Sequence, residues 1–188
     1  MVDLAMHMMD IAQNSIRAEA KNIEISFIEN NTENTLIFAV KDDGTGMSPE
    51  TVAKLSDPFF TSRTTRKVGL GVPFLKMTCE QTDGRLKITS QPGIGTEISA
   101  TYKTNHPDCI PLGDLPGYLI LLLIGNPYIN FSFSYCIDDE KFEFSTKELA
   151  ENGIDDLSSA EMSSAVKEFM NENLKELFGK RKKASFLC

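Results

Sequence analysis

The chain has no apolar run long enough for a membrane. Its most apolar stretch, Tyr118 to Ile124, is far short of the roughly 20 residues that a spanning helix needs. Met1 to Asp10 makes no leader either, because it contains acids and lacks an uninterrupted apolar core. The four cysteines, Cys79, Cys109, Cys136 and Cys188, form no CxxC pair and no metal-ligand spacing, which points to reduced thiols in a cytoplasmic protein. Cations are in the minority. A formal net charge of −8 and a pI near 4.8 leave no nucleic-acid footprint, so neither nucleic acid nor membrane is an expected partner. The one basic cluster, Lys180-Arg181-Lys182-Lys183 behind the helix stop Gly179, reads as a solvated tail.

What is present is ordinary in bulk and specific in pattern. At 188 residues, with 41% hydrophobic and 24% charged residues, the chain fits one domain of about 100–150 residues plus an extension. From Val2 to about Ala20 the pattern is helical. Leu4, Met8, Ile11, Ser15 and Ala18 form one stripe, and Met6, Met9, Ile16 and Ala20 widen its apolar surface. Asp3, His7, Asp10, Asn14, Arg17 and Lys21 form a second, polar stripe that is narrow and flanked by apolar residues. A solvated helix edge would explain it, as would another protein segment or a ligand that satisfies Asp10, Asn14 and Arg17. Beside a triphosphate, the Asn14 amide oxygen suits Mg²⁺, the Asp10 carboxylate could take a proton, and Arg17 could neutralise phosphate charge.

The strand Leu36 to Val40 runs into Lys41-Asp42-Asp43-Gly44-Thr45-Gly46-Met47. Asp-Gly after a strand is a hairpin-turn signal. Glycines at alternate positions also let a ligand approach the backbone, with a carboxylate at the strand end to accept from its amino group. In Asn22 to Ile28, Ile23, Ile25 and Phe27 alternate with Glu24 and Ser26, and this stretch and Thr35 to Lys41 read as an antiparallel pair with one face buried around a polar turn. Ser48-Pro49-Glu50 opens a short helix reaching about Leu55. Asp57-Pro58-Phe59-Phe60 then leads into a hydroxyl-rich loop, Thr61 to Lys67, with three cations. Behind it, Gly69-Leu70-Gly71 precedes a helix opened by Pro73, an anion site with a cationic lid above it. Arg85 to Ser90 and Thr96 to Tyr102 close the domain as a hairpin through Pro92-Gly93-Ile94-Gly95.

The order Asn14, Asp42-x-Gly44-x-Gly46, Asp57-Pro58-Phe59-Phe60, Gly69-Leu70-Gly71, Gly95-Thr96 resembles the GHKL ATPase superfamily of gyrase-type topoisomerases, heat-shock chaperones, histidine kinases and mismatch-repair ATPases. Residues 1 to about 103 carry it, and the match is nearest to the histidine-kinase catalytic domain. The resemblance implies an α+β fold of two layers (Bergerat-type), with a mixed, mostly antiparallel sheet and helices on one face. It implies ATP and Mg²⁺ as cofactors. Asn14 would be the metal ligand; Asp42 would accept from the adenine amino group, with Gly44, Gly46 and Thr96 shaping that side. Phe59 and Phe60 would anchor the lid, and Lys67, Gly69, Leu70 and Gly71 would border the phosphates. Arg17 and Asp10 would be catalytic, with Asp10 as base. Lys67 stands where the family commonly has glycine. Asp10 stands where histidine kinases carry asparagine and the hydrolytic members glutamate.

Residues 1–104 are thus expected to form the ATP-binding domain, and 105–188 a small α+β extension. In the extension, Asp114 caps an apolar helix over Leu115 to Ile124, and Phe131, Phe133, Tyr135 and Ile137 alternate as a strand. Phe142 and Phe144 lie in another strand, and a last helix is expected from Ser158, paired with Glu161 in a capping box. The aromatics read as core, with a dimer or partner surface as the alternative. No phosphoacceptor hairpin precedes Asn14, and neither His7 nor His106 suits phosphorylation. The expected protein therefore phosphorylates or switches a partner in another chain. A slow ATPase switch and a non-catalytic nucleotide sensor are the alternatives.

Overall fold

Period-two alternation along five of the six strands sends one set of side chains into a single core. The computed structural model describes residues 2–55, 70–154 and 156–181. Helix α1 (Leu4–Arg17) is followed by β1 (Asn22–Asn30), β2 (Thr35–Asp42), α2 (Pro49–Lys54) and α3 (Gly71–Glu80). Then come β3 (Arg85–Gln91), β4 (Gly95–Lys103), α4 (Leu115–Gly125), β5 (Asn130–Ile137), β6 (Glu140–Ser145), α5 (Thr146–Glu151) and α6 (Ala160–Phe178). The six strands form one sheet in the order β3-β4-β2-β1-β5-β6, antiparallel throughout except where β5 runs parallel to β1. The mixed, mostly antiparallel α+β architecture is as the sequence implies.

Ile23, Ile25 and Phe27 of β1, Leu36, Phe38 and Val40 of β2, and Phe131, Phe133 and Tyr135 of β5 are buried beneath the helices. The other face of these strands is mostly polar or small, as at Glu24, Ser26, Ser132 and Ser134, with Ile28 paired to Ile37 as an apolar exception. The core is one cluster that runs from Leu4 to Leu177, so residues beyond 105 share it with those before. The join is also polar. At the α1 N-terminus, Asp3 Oδ1 accepts from Met6 N at 2.8 Å, and the N–H groups of Leu4 and Ala5 donate to Pro111 O and Leu112 O at 2.9 and 2.8 Å. Three N–H groups that a helix start leaves without intrahelical partners are thereby satisfied.

Several local expectations need correction. Helix α6 starts at Ala160 with Ser159 as its cap, accepting from Met162 N at 3.1 Å. Ser158 is consumed one turn earlier, its N–H and hydroxyl both donating to Asp156. Helix α3 starts at Gly71 rather than Pro73, since a proline in the first turn forfeits only an N–H that has no helical acceptor. Helix α5 was not anticipated, although Ser145-x-x-Glu148 is a capping box: Ser145 Oγ accepts from Glu148 N and donates to Glu148 Oε2.

His7 is not on a solvated stripe but fully buried, with Nε2 3.3 Å from Thr78 Oγ1, which in turn lies 3.0 Å from the Tyr102 hydroxyl. Arg181 is not part of a solvated tail. Its guanidinium donates to Glu29 at 2.6 and 2.8 Å and to the Tyr135 hydroxyl at 2.7 Å, and it lies 3.8 Å over the Phe178 ring. Tyr135 donates to the same Glu29 carboxylate, and burial pushes its phenol well above the usual range. Glu29 comes from β1, so an acid deep in the sheet holds the end of α6.

Two measurements follow from these buried groups. Burial, with the charge of the N-terminus adding, lowers His7 from 6.5 to about 4. The unfolded chain therefore binds a proton that the folded one excludes. The His7 contribution is fully present above pH 6.5 and is lost as pH falls toward 4, by up to about 3 kcal/mol. Urea titrations of wild type and His7→Gln at several pH values should show the stability gap narrowing by about that amount; parallel profiles would mean that the ring is not held neutral. Arg181→Ala leaves the Glu29 carboxylate buried without its cation and should cost about 3 kcal/mol in the same assay. A loss of only a few tenths would return Arg181 to the solvated tail.

Candidate functional site

The site is built where β2 ends. Alternation sends Asp42 and Asp43 to opposite sides of the strand, and each carboxylate is tied to a different part of the chain. Asp43 Oδ1 accepts from the N–H groups of Lys21 and Asn22 at 2.7 and 2.8 Å, and its Oδ2 accepts from Asn22 Nδ2 at 2.6 Å. The Asn22 N–H, with these others, holds Asp43 below the usual carboxylate range. It is thus an anchor for the start of β1, a larger role than that of a plain turn residue.

Asp42 faces inward. Its Oδ2 accepts from Ser15 Oγ at 2.6 Å, and its Oδ1 accepts from Gly44 N at 3.0 Å and Thr96 N at 3.2 Å. Oδ1 has both lone pairs engaged, whereas Oδ2 keeps one. The carboxylate borders a cavity of about 350 Å³ whose apolar walls include Ile11, Val40, Met47, Leu55, Val72 and Ile98. A charged acceptor in such a setting selects a flat, largely apolar ligand that offers an N–H.

The turn that follows is held tightly. Thr45 N donates to Ala18 O, and Thr45 O accepts from Gly93 N, both at 2.8 Å. Gly46 has φ of +64°, and a Cβ there would lie 2.0 Å from Gln91 O. Only glycine fits both conditions.

Asn14 and Arg17 open into the same cavity from α1, and Arg17 Nη1 donates to Asn14 Oδ1 at 2.8 Å. Gly71, at the N-terminus of α3, and Thr96 border it too. Asp10 lies just beyond. Its Oδ2 is buried without a hydrogen-bond partner and would be 1.5 Å from a Cβ on Gly71. A bare carboxylate oxygen is thus pressed against a helix start whose N-cap, Leu70, offers no side-chain cap.

Of the residues expected in the site, Asn14, Arg17, Asp42, Gly46, Gly71 and Thr96 converge on one cavity, with Asp10 behind Gly71 and Gly44 beneath against Ala18. Leu70 is exposed and lines a separate surface depression with Phe74 and Met77. Phe59, Phe60, Lys67 and Gly69 lie outside the described residues. Ser15 was counted only as part of the apolar stripe of α1. A hydroxyl among Leu4, Met8 and Ile11 was the signal that this position has a polar partner.

The residues present suit a magnesium nucleotide. No group of three or more His, Cys, Asp or Glu among the described residues could hold a metal. A cation here would therefore take most of its ligands from phosphate and water, with Asn14 adding a neutral oxygen, as Mg²⁺ permits. The orphaned Asp10 oxygen and the helix N-terminus at Gly71, an end of the kind that suits phosphate, lie side by side.

Known proteins are similar in sequence to this part of the chain. Sporulation kinase C of Bacillus subtilis is 31% identical over 87 residues, covering 46% of this chain and 20% of its own length. Sensor histidine kinase YvrG of the same organism is 31% identical over 94 residues, covering 48% and 16%. The non-motile and phage-resistance protein of Caulobacter vibrioides is 37% identical over 75 residues, covering 37% and 9%. The chain thus spans a fifth or less of the length of these relatives. A crystal structure titled as the N-terminal domain of a DNA repair protein superposes with TM-score 0.54 at 19% identity, over 78% of this chain and 53% of that one, a likeness of fold. The model of the histidine kinase-, DNA gyrase B-, and HSP90-like ATPases matches residues 2–106, more than half of the chain, and the chain belongs to that family.

Proposed function

We propose that the chain binds Mg-ATP through Asp42 and Asn14 and uses it to phosphorylate or switch a protein partner in the cytoplasm. The observation that carries this reading is the Asp42 carboxylate, which three donors hold in place with one lone pair left over a cavity walled by apolar side chains. Adenine offers such a site both its flat face and an exocyclic amino group. Asn14 would supply an oxygen to the metal, and Arg17, now on that oxygen, would turn to phosphate. Magnesium, when bound, neutralises phosphate charge and polarises the transferring group. Gly71 would present the N-terminus of α3 to the same charge.

Asp10 would act as the base. Its unpartnered Oδ2 is ready to accept a proton from a hydroxyl or water brought in at the Gly71 end. The relatives named as kinases support a transfer role. Neither histidine of residues 1–188 is placed as a phosphoacceptor. His7 is buried, and the His106 ring is folded onto its own loop, where Nδ1 accepts from Asp108 N at 3.2 Å. A hydrolytic switch is the second reading. It is favoured by the main-chain bonds from the start of α1, the helix that bears Asp10 and Asn14, to Pro111 and Leu112.

Calorimetric titration with Mg-ATP tests the binding layer. Asp42→Asn should weaken affinity by at least about tenfold, the share of a charge-assisted hydrogen bond worth roughly 1.5–3 kcal/mol, while Asp43→Asn should leave it close to wild type. Absence of binding by wild type would sink every nucleotide reading, and equal affinity in wild type and Asp42→Asn would remove Asp42 as the adenine acceptor. Asp10→Asn tests the chemistry. It should keep ATP binding but lower phosphate release or transfer by about 10²-fold or more. Unchanged turnover would remove Asp10 as the base, and binding without turnover in either protein would favour a sensor.

A further inference from the structure

Helix α4 is apolar all round, a pattern that belongs to a helix covered on every side. Its Leu115, Leu119, Leu122 and Leu123 are indeed buried, yet Leu121 is 58% and Ile124 40% exposed. From Leu115 to Tyr128 there is no charged side chain, in a chain of net charge −8. The helix is too short to cross a membrane, and it lacks the cationic flank of a helix that lies on one.

The uncovered stripe runs Gly117-Tyr118, Leu121, Ile124-Gly125, and its order of sizes reads the same in both directions about Leu121. If two such helices pair antiparallel with Leu121 facing Leu121, then Tyr118 of each copy meets Ile124 of the other, and Gly117 meets Gly125. A closed two-fold interface requires this kind of self-complementarity, and the glycines let the backbones approach at both ends. Gly117 has an internal reason to lack a Cβ, since the Asp114 carboxylate would lie 2.1 Å from it. Gly125 has none. A Cβ there would meet nothing within 4 Å, and its φ is not positive, so nothing in one copy demands a glycine at this last residue of α4 beyond its use as a helix stop.

We propose that α4 is a dimer seam, on which two copies of this chain pair antiparallel about a two-fold axis at Leu121. A chain with eight net negative charges approaches its own copy most easily along a stretch that carries none. Helix α1 packs beside α4 and adds a second uncharged line, Met6, Met9, Gln13 and Ile16, at one-face spacing and partly exposed. The nucleotide cavity stays clear of the seam, because among the described residues none beyond Ile98 lines it.

Sedimentation equilibrium of the full chain over a concentration series tests the seam. Wild type should dimerise, and Leu121→Glu, which sets two carboxylates face to face on the axis, should weaken the dimer by roughly tenfold or more with the circular dichroism spectrum unchanged. Disulfide trapping decides the orientation, and it carries the test if Leu121→Glu unfolds. A mixture of Tyr118→Cys and Ile124→Cys chains should cross-link, whereas either variant alone should not exceed the wild-type background. A chain that remains monomeric at every concentration overturns the proposal and leaves the face to a different protein. So does a dimer indifferent to Leu121→Glu, or cross-linking by the single variants alone.

Discussion

Three stretches of chain far apart in sequence meet at the Asp42 carboxylate. Ser15 reaches it from α1, Gly44 from the turn after β2, and Thr96 from the start of β4. Each donor is itself partly or wholly buried, so each would be left without a partner if the carboxylate were absent. The arrangement therefore does two things at once. It locks α1 onto the sheet at the level of the cavity, and it keeps a charged acceptor aimed at whatever enters. Asp43, one residue on, performs the corresponding task on the outer side by gathering the N–H groups where β1 begins.

The segment beyond residue 105 is attached to this frame at three places of different chemistry. Main-chain carbonyls of Pro111 and Leu112 take the first N–H groups of α1. Strand β5 extends the sheet beside β1 in parallel register, which requires a long connection, and α4 lies within that connection. The Glu29 carboxylate then reaches the far end of α6 through Arg181, with Tyr135 between them. In chain order the first of these attachments comes at the start of α1, the helix that bears Asp10 and Asn14, and the last at the end of β1.

Patterns that repeat over many residues could be read from the sequence. Strands β1, β4 and β5 each alternate for six positions, and α1 shows its stripe over four turns, so their buried faces followed from periodicity. Strand β2, by contrast, is apolar without a break from Leu36 to Val40, and alternation alone does not single out its buried face. The cap at Ser48 and the tight turn at Gly46 were legible because a single local geometry demands those residue types. The convergence of Asn14, Asp42, Gly71 and Thr96 was legible by a different route. No property of the intervening residues brings these positions together, and only the order of the motifs, shared with a known family, does so.

What escaped were single polar residues whose surroundings are set by distant partners. His7 and Asp10 occupy the same stripe of α1 at a spacing of three, and by pattern they are equivalent. The first is sealed against Thr78 of α3, whereas the second presents a bare oxygen to Gly71 of the same helix. Which of them meets solvent depends on how far down α1 helix α3 packs, and that depth is decided by side chains some 70 positions later. Arg181 is the same case at greater range. Its neighbours Lys180 and Lys182 make a basic cluster, yet the partner that draws it in is 152 residues away on β1. Ser15 differs only in that its position in an apolar stripe already called for a buried acceptor. A hydroxyl in an apolar stripe needs an acceptor, which can be a carbonyl one turn back on its own helix, as Leu75 O is for Thr78, or an oxygen from another element, as Asp42 of β2 is for Ser15.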